Sequence, residues 1–437
     1  MVWAIIEVGM RRLYIGVFLL RLVEASAFAD NGSLPIGQTA AARALGGTGI
    51  AAFTSVVDGE YKNPATLTKL PGVNGQAELA LGFFSVAAEA QQKVSNPVLQ
   101  SDDTGVHKSS AARIASPTAI GAAYRVAPDL VLAVGASAFG SKLDYGEHLG
   151  LSGLKRTTTQ VNFMLGAGYQ LLPELSIGAT LIGQTFDNKT SLLYSKAQFA
   201  RTQWHSSGKA GSAALGALFT VTPVLAVGLS YMLPKTARMK GFMDADTYNA
   251  DLTPSKTVNR NDLKVSDPKE IGVGTALQPT ADLRVMLDFK RILWADAPFY
   301  QDLGWRDQNV YALGAAYATG PHSWKVGFNY AKMPMPRHVS GEDGLEPVYL
   351  QGHVLSKLNI AILNTLVSPA ASEKSFTLGS SHAVTDKVTV NTALVYNPPS
   401  TITRSGDLLE PTGVVGSYSY AAKLSLTTVT IDATVAL

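Results

Sequence analysis

Asp282-Leu-Arg-Val-Met-Leu-Asp-Phe-Lys290 alternates without a slip. Leu283, Val285, Leu287 and Phe289 fall on one face, and Arg284, Met286, Asp288 and Lys290 on the other. A period of two is the period of a strand, with one face apolar and the other polar. The pattern recurs along the chain. Trp324, Val326, Phe328 and Tyr330 oppose Lys325, Gly327 and Asn329. Val161, Phe163, Leu165 and Tyr169 oppose Asn162, Met164, Gly166 and Gly168, and Leu225, Val227, Leu229 and Tyr231 oppose Ala226, Gly228 and Ser230. The last stretch sets Val429, Ile431, Val435 and Leu437 against Thr430, Asp432 and Thr434.

A soluble sandwich would alternate too, and the connections discriminate. Tight links at Val126–Asp129, Leu171–Glu174, Thr222–Pro223, Pro279–Ala281, Gly320–His322 and Thr385–Asp386 take turns with long ones at 89–110, 143–156, 188–208, 239–267, 295–308, 333–373 and 398–416. Short turns at one end and long loops at the other are the layout of a bacterial outer-membrane barrel, and an even strand count fits it. The predicted fold is therefore all-β: a transmembrane antiparallel β-barrel of about 14 strands, near 76–88, 111–125, 131–142, 157–169, 175–187, 209–221, 224–238, 268–278, 282–294, 309–318, 323–332, 374–383, 387–397 and 417–437. A closed barrel satisfies its backbone entirely, so no strand edge meets lipid. Even strands enter their short turns through Gly-x-x-aromatic, at Gly121–Tyr124, Gly166–Tyr169, Gly216–Phe219 and Gly314–Tyr317. Rings at those positions suit a girdle at headgroup level, with Tyr231, Tyr330 and Tyr396 forming the opposite one.

Composition agrees with a membrane face. Charged residues are 16% of the 437, against roughly 25% in an average soluble domain. With no cysteine there is no disulfide framework, no thiolate metal site and no thiol nucleophile. A balance of 36 basic and 33 acidic residues argues against nucleic acid as a partner. Residues 1–29 read as a cleaved signal peptide: Arg11 and Arg12, an apolar run at Leu13–Leu20, then Ala27-Phe28-Ala29. Met10 immediately precedes the two arginines and reads as the natural start. No later apolar run reaches the ~18 residues of a membrane helix.

Residues 30–75 do not alternate and are rich in Ala, Gly and Thr, which suits a plug in a lumen too wide for side chains alone to fill. Within them stand Arg43-Ala-Leu-Gly46-Gly47-Thr-Gly49 and Asn63-Pro64-Ala65-Thr-Leu. Together with the glycine–aromatic strand ends and Ser116-Pro117-Thr118, these resemble the N-terminal hatch and barrel of the FadL/TodX outer-membrane transporters. The resemblance implies a hatch at residues 30–75 and a barrel at 76–437. It also implies passive uptake of long-chain fatty acids or aromatic hydrocarbons, and sideways release at a kink in the third strand. Gly46, Gly47, Gly49, Asn63, Pro64 and Ala65 match its hatch motif; Gly135 and Gly140 could permit the kink. Leu437 departs from it, since such barrels usually end in an aromatic residue.

Other candidates come from the pattern alone. Inward parity makes Arg284, Lys290 and Lys325 possible lumenal partners for a carboxylate, although Asp288 between the first two suits a salt-bridge ladder or a hatch contact. Phe242, Met243, Tyr349, Leu350, Ile360 and Ile362 make two long loops more apolar than solvent favours, and could line a capture groove. Asp244-x-Asp246-x-x-Asn249-x-Asp251 lacks the central glycine and closing glutamate of a calcium loop, and the seven histidines have no metal spacing. No metal, cofactor or enzymatic motif is expected. The expected partners are a hydrophobic small molecule, outer-membrane lipid, lipopolysaccharide and the barrel assembly machinery, with the chain a monomer in a Gram-negative outer membrane. A general porin, a surface adhesin and an outer-membrane enzyme remain the competing readings.

Overall fold

A computed structural model describes residues 31–71, 74–96, 101–144, 155–195, 200–241, 245–248, 254–258, 262–367, 372–411 and 413–437. The signal segment therefore lies outside the described residues, as do Phe242 and Met243 of the expected groove and most of the loop aspartate cluster.

Fourteen antiparallel strands close into one barrel. They are β1 (Gly75–Asn96), β2 (Ser101–Ala127), β3 (Leu130–Asp144), β4 (Lys155–Gln170), β5 (Leu175–Ser195), β6 (Ala200–Thr222) and β7 (Leu225–Met232) in the first half. The second half has β8 (Lys269–Leu277), β9 (Leu283–Leu293), β10 (Gln308–Thr319), β11 (His322–Ala331), β12 (Lys374–Ala383), β13 (Val388–Glu410) and β14 (Gly413–Ala436). Each pairs with its neighbour, and β14 pairs with β1 from Gln76↔Ala436 to Ser95↔Ser417.

The alternation is the lipid boundary. Leu165, Leu181, Leu229, Leu287, Val326 and Leu378 point outward and are exposed, while their neighbours Met164, Ile182 and Met286 are buried within. Tyr124, Tyr169, Phe219, Tyr317 and Trp324 form an exposed ring at the short-turn end, and Tyr311 and Tyr396 mark the other. Leu181, 67% exposed, is the most lipid-facing of the set. Leu181→Arg is expected to cost about 2–4 kcal/mol if it sits near the bilayer midplane. Urea titration of the protein in liposomes measures this; a loss below about 0.5 kcal/mol would place that face outside the hydrocarbon.

Three expected loops are strands instead. Nearly all the described residues of 89–110 belong to β1 and β2, those of 188–208 to β5 and β6, and those of 398–416 to β13 and β14. The strands β1 and β2 are 22 and 27 residues long, where roughly 9–11 suffice to cross the bilayer. Beyond the lipid neither face has to be apolar, so the alternation that marks the membrane portion fades although the ladder continues. The described parts of 239–267, 295–308 and 333–373 form the loops, although Ala245–Tyr248 pairs with Pro254–Val258 and meets β6 at Gln203↔Asp246. They carry a two-stranded pairing of Lys235–Met239 with Leu263–Asp267, a hairpin of Pro347–Leu350 with His353–Ser356, and a short helix Lys357–Ile362 closed by a capping box from Ser356 and Asn359. Strand His338–Asp343 runs parallel beside the upper end of β13.

Residues 31–70 fill the lumen, nearly all of them buried. They form α1 (Ala40–Arg43), α2 (Val56–Lys62) and a 3-10 turn at Pro64–Lys69. Each start is capped by its own side chain: Thr39 accepts from Ala42 N, Ser55 from Asp58 N and Asn63 from Ala65 N, with Pro64 at the first position of the last turn. These short pieces lack the length to be stable alone. The barrel supplies the rest.

Candidate functional site

The plug is bonded around the whole circumference of the barrel. Three wall carboxylates take its backbone amides. Glu78 of β1 accepts from Val56 N and Val57 N at 2.9 and 2.7 Å, Asp288 of β9 from Gly49 N and Ile50 N at 2.8 and 3.0 Å, and Asp432 of β14 from Ala41 N at 3.1 Å. Asn329 of β11 donates to Gly46 O at 3.0 Å, and Thr377 of β12 both accepts from Gly46 N and donates to Ala44 O. Arg43 donates to Gly37 O and to Thr430 of β14. Asn63 joins two hatch segments to the wall: its amide donates to Ile50 O at 2.6 Å and Ala217 O at 3.0 Å.

The hatch glycines earn their identity at the backbone. Gly46 and Gly47 adopt φ of +65° and +80°, and a Cβ on Gly46 would stand 2.7 Å from the carbonyl oxygens of Leu313 and Phe328. The wall glycines of the Gly-x-x-aromatic repeat are the other half of this contact. A Cβ at Gly121 would come within 2.7 Å of Val57, at Gly166 within 2.8 Å of Glu60 and at Gly314 within 2.6 Å of Leu45 O; at Gly216 it would overlap the Asn63 side chain. The repeat thus serves two faces at once, with an aromatic outside at the headgroups and an absent side chain inside where the plug presses.

Inside the hatch, Asp58 is wholly buried and accepts from Gln38 N, Thr39 N and the hydroxyls of Thr39 and Ser55, with Lys62 at 3.3 Å. Burial pushes this carboxyl up, but the Lys62 ammonium and those donors outweigh it and hold it below the usual aspartate range. Glu60 is the opposite case. It is buried against Gly135 and Gly166, and neither of its oxygens makes a hydrogen bond of ordinary geometry, the Gly166 N–H giving weak support alone. Burial, and then the neighbouring Glu78, push its carboxyl up to about 8. The folded chain therefore keeps a proton that the unfolded chain releases, so hatch stability declines as pH rises from the ordinary glutamate range to about 8 and is level above it. Ion leak through the barrel in planar bilayers is expected to grow over that window in the native protein and to grow less steeply in Glu60→Gln. A native leak that ignores pH would refute this.

Above the hatch, Lys235 is fully buried, 3.0 Å from Tyr61 Oη and 3.5 Å from Asp267, which also accepts from Gln184. Lys290 pairs with Glu270 at 3.0 Å. Higher still, the long loops close over an apolar cluster. Trp294, Tyr300 and Trp305 pack ring on ring with centroids 4.5–4.9 Å apart, and Met333, Met335, Leu350 and Leu366 belong to the same cluster. Trp305 Nε1 donates to Asn364, whose amide donates to Leu303 O, tying the 294–305 loop to the 357–367 segment. The start of the plug reaches this cluster: Leu34 is part of it, and the hydroxyls of Ser33 and Tyr300 are 3.2 Å apart.

The predicted site residues separate accordingly. Leu350 is buried in the cluster, Ile360 and Ile362 pack half-buried against it, and Tyr349 lies exposed at a hairpin with Val354. Ala65 is buried in the 3-10 turn. Arg284, Lys290 and Lys325 do not converge: Lys290 is taken by Glu270, whereas Arg284 and Lys325 lie below the hatch. Asp288 makes the hatch contact rather than a ladder with its strand neighbours.

Gly135 and Gly140 pair with Met164 and Thr159 in a register that runs unbroken along β3 and β4. Gly135 is small because Glu60 fills the space beside it. The parting in the wall is on the other side of β3. Pairing of β2 with β3 ends at Ala119↔Ser137, where Pro117 has no amide to give and Thr118 drops out of the β1 register. Just below, an apolar hollow of about 690 Å³ on the outer wall is lined by Leu79, Ile120, Val134, Phe163 and Val435, and Gly121 and Gly135 form the thin wall between it and α2.

A plugged fourteen-stranded barrel with this hatch has solved counterparts. The P. putida toluene transporter TodX superposes with a TM-score of 0.67 at 15% identity, covering 92% of this chain and 99% of that one. The chain has the fold of the FadL/TodX transporters. A Pseudomonas aeruginosa FadL homologue gives 0.68 at 10% identity, with 91% and 98% covered, and the Ralstonia pickettii toluene transporter TbuX gives 0.56 at 16%, with 90% and 98% covered. No protein-family model matches the sequence, and neither does any curated protein. The FadL-type likeness thus lives in the path of the chain rather than in its residues. Glu78, Asp432 and the three-ring cluster escaped the sequence reading. Glu78 and Asp432 were visible only as acids on inward positions of membrane strands, where an unpaired charge is costly.

Proposed function

We propose that this protein is an outer-membrane channel for passive uptake of hydrophobic small molecules, long-chain fatty acids or aromatic hydrocarbons, with the hatch as its gate. The observation that carries this reading is the pairing of a lumen filled by a bonded plug with an apolar, loop-built cluster directly above it. A general porin needs an open, water-filled lumen, and the hatch occupies it. An oily solute crosses the polar surface layer poorly, and an apolar cluster at the mouth lowers that barrier. From the cluster the route passes the top of the plug. Because the lumen below is blocked, release goes sideways through the parting of β2 and β3 above Ala119 and Ser137.

The reading is tested by uptake of radiolabelled oleate and toluene in cells lacking their own transporter, with and without this gene. Stimulation of either supports it and ranks the substrates. Absence of both, with a folded barrel seen by heat-modifiable gel migration, would move the assignment to an adhesin.

A further inference from the structure

Beneath the hatch, facing the short turns, lie two adjoining cavities of about 570 and 230 Å³. Arg284 and Lys325 line both. They stand on β9 and β11, each directly opposite Ala316 of the intervening β10, so two cations flank one methyl group on the same inner face. Among the described residues, neither has a carboxylate within ion-pair distance. Their partners are neutral: Arg284 donates to Gln278 Oε1 at 3.2 Å and Lys325 to Asn391 Oδ1 at 3.4 Å. Asp432 stands behind Asn391. It receives that residue's amide and the hatch amide of Ala41, and Asn391 Oδ1 also accepts from Ser381. The wall thus turns an amide oxygen, not a charge, toward Lys325.

Two like charges on one face of a sheet repel, and neither cation has a carboxylate in contact with it to offset the other; Asp432 acts on Lys325 only from behind Asn391. Above the hatch two wall cations are matched with carboxylates: Lys235 with Asp267, Lys290 with Glu270. The smaller cavity between Arg284 and Lys325 has a different character on its upper side, where Leu45 and Phe53 of the hatch form an apolar roof. A charge clamp under an apolar roof is complementary to an anion with an apolar body. The guanidinium can take two oxygens of one carboxylate side by side while the ammonium adds a point charge.

We propose that this lobe is a carboxylate-binding site on the periplasmic side of the hatch that takes a small aromatic or medium-chain organic acid. It is separated by the plug from the apolar cluster above, and does not depend on the uptake reading. A ligand reaches it from the periplasm, so it is suited to sensing or holding acids on the inner side of the membrane.

The test uses the full barrel in detergent and benzoate as the probe, followed by isothermal titration calorimetry. Saturable benzoate binding is expected, weakened about tenfold or more in the Arg284→Gln/Lys325→Gln double variant, the scale of losing charge-assisted bonds. Ala316→Met keeps both charges and fills the space between them, and is expected to abolish binding too, which holds the test open if the double variant misfolds. Lys387→Gln, a charge change in an exposed short turn, should leave binding unchanged. Benzyl alcohol, of like shape without the charge, should bind about tenfold more weakly or worse. Absence of saturable binding, or binding indifferent to both lumenal variants, overturns the site. Inorganic phosphate binding as well as benzoate overturns its assignment to an organic carboxylate. None of these readouts involves transport, so the site and the uptake reading fail separately.

Discussion

Gly327→Val is expected to unseat the hatch and turn a closed barrel into a conducting one. Gly327 of β11 faces the plug, and a Cβ there would overlap the backbone of Leu45 and Gly46. The backbone at that point has little freedom to retreat. Gly46 is held by Asn329 on one side and Thr377 on the other, and it already uses a left-handed conformation. Overpacking a tight contact costs about 1–3 kcal/mol when side chains can yield, and more when the obstacle is backbone. The strand itself gains from valine, since β-branched residues suit a pleated half-buried surface. The substitution therefore sets plug against wall without removing anything that holds the wall together. Planar-bilayer recordings should show a quiet native baseline and discrete open steps in the variant, with heat-modifiable gel migration unchanged. Val326→Leu, one residue away and facing lipid, should behave as native. A Gly327→Val barrel as closed as the native one would mean that the wall glycines do not set the seating of the plug.

Asn63→Ala is expected to produce the second large effect, and Pro64→Ala a much smaller one. The Asn63 side chain makes two buried bonds and one part-buried: it accepts from Ala65 N at 3.1 Å and donates to Ile50 O at 2.6 Å, and it donates to Ala217 O at 3.0 Å. Truncation strands a donor and two acceptors where no solvent replaces the partner. Each such group costs about 1–3 kcal/mol, with the sum reduced by relaxation. Ala65 N is the start of the 3-10 turn that packs on β4, β5 and β6, so loosening should spread to 64–69. Pro64 only pre-sets the first position of that turn, where an amide is not needed, and alanine there keeps every bond. Limited proteolysis of the barrel should cut the hatch of Asn63→Ala several-fold faster than that of Pro64→Ala. Equal rates would remove Asn63 from its role as the joint between plug and wall.

The membrane-spanning barrel was legible in the sequence because lipid imposes a rule at every second residue. Leu283 to Lys290 and Val161 to Tyr169 obey it, and the short turns between such stretches lie where expected. Where lipid ends, the rule ends, which is why 89–110, 188–208 and 398–416 read as loops although nearly all their described residues are in ladders. The plug was legible as a composition and a motif, but its bonds were not. Asp288 binds Gly49 across 239 residues and Asp432 binds Ala41 across 391, separations at which no local pattern carries information. The inward cations could be picked out by parity, yet parity does not say on which side of a plug a residue falls, and so Lys290 was grouped with Arg284 and Lys325. The kink expected at Gly135 shows the same limit from the other direction. Glycine in a strand marks a bend or a close approach, and only the position of Glu60 decides between them.

The bonds from the plug to β1 and β14 constrain the order of biogenesis. Glu78 and Asp432 sit on the two strands that form the closing seam, and the segment they hold is synthesised before either. A finished cylinder with its mouth roofed by packed loops leaves only the short-turn end for a buried, many-bonded insert, and wrapping the cylinder around the plug avoids that entry. The plug then acts as a mandrel: its amides bring the first and last strands to a common object before their own ladder zips, so that ring closure, with its long-separation entropy already met in part, becomes a short final step.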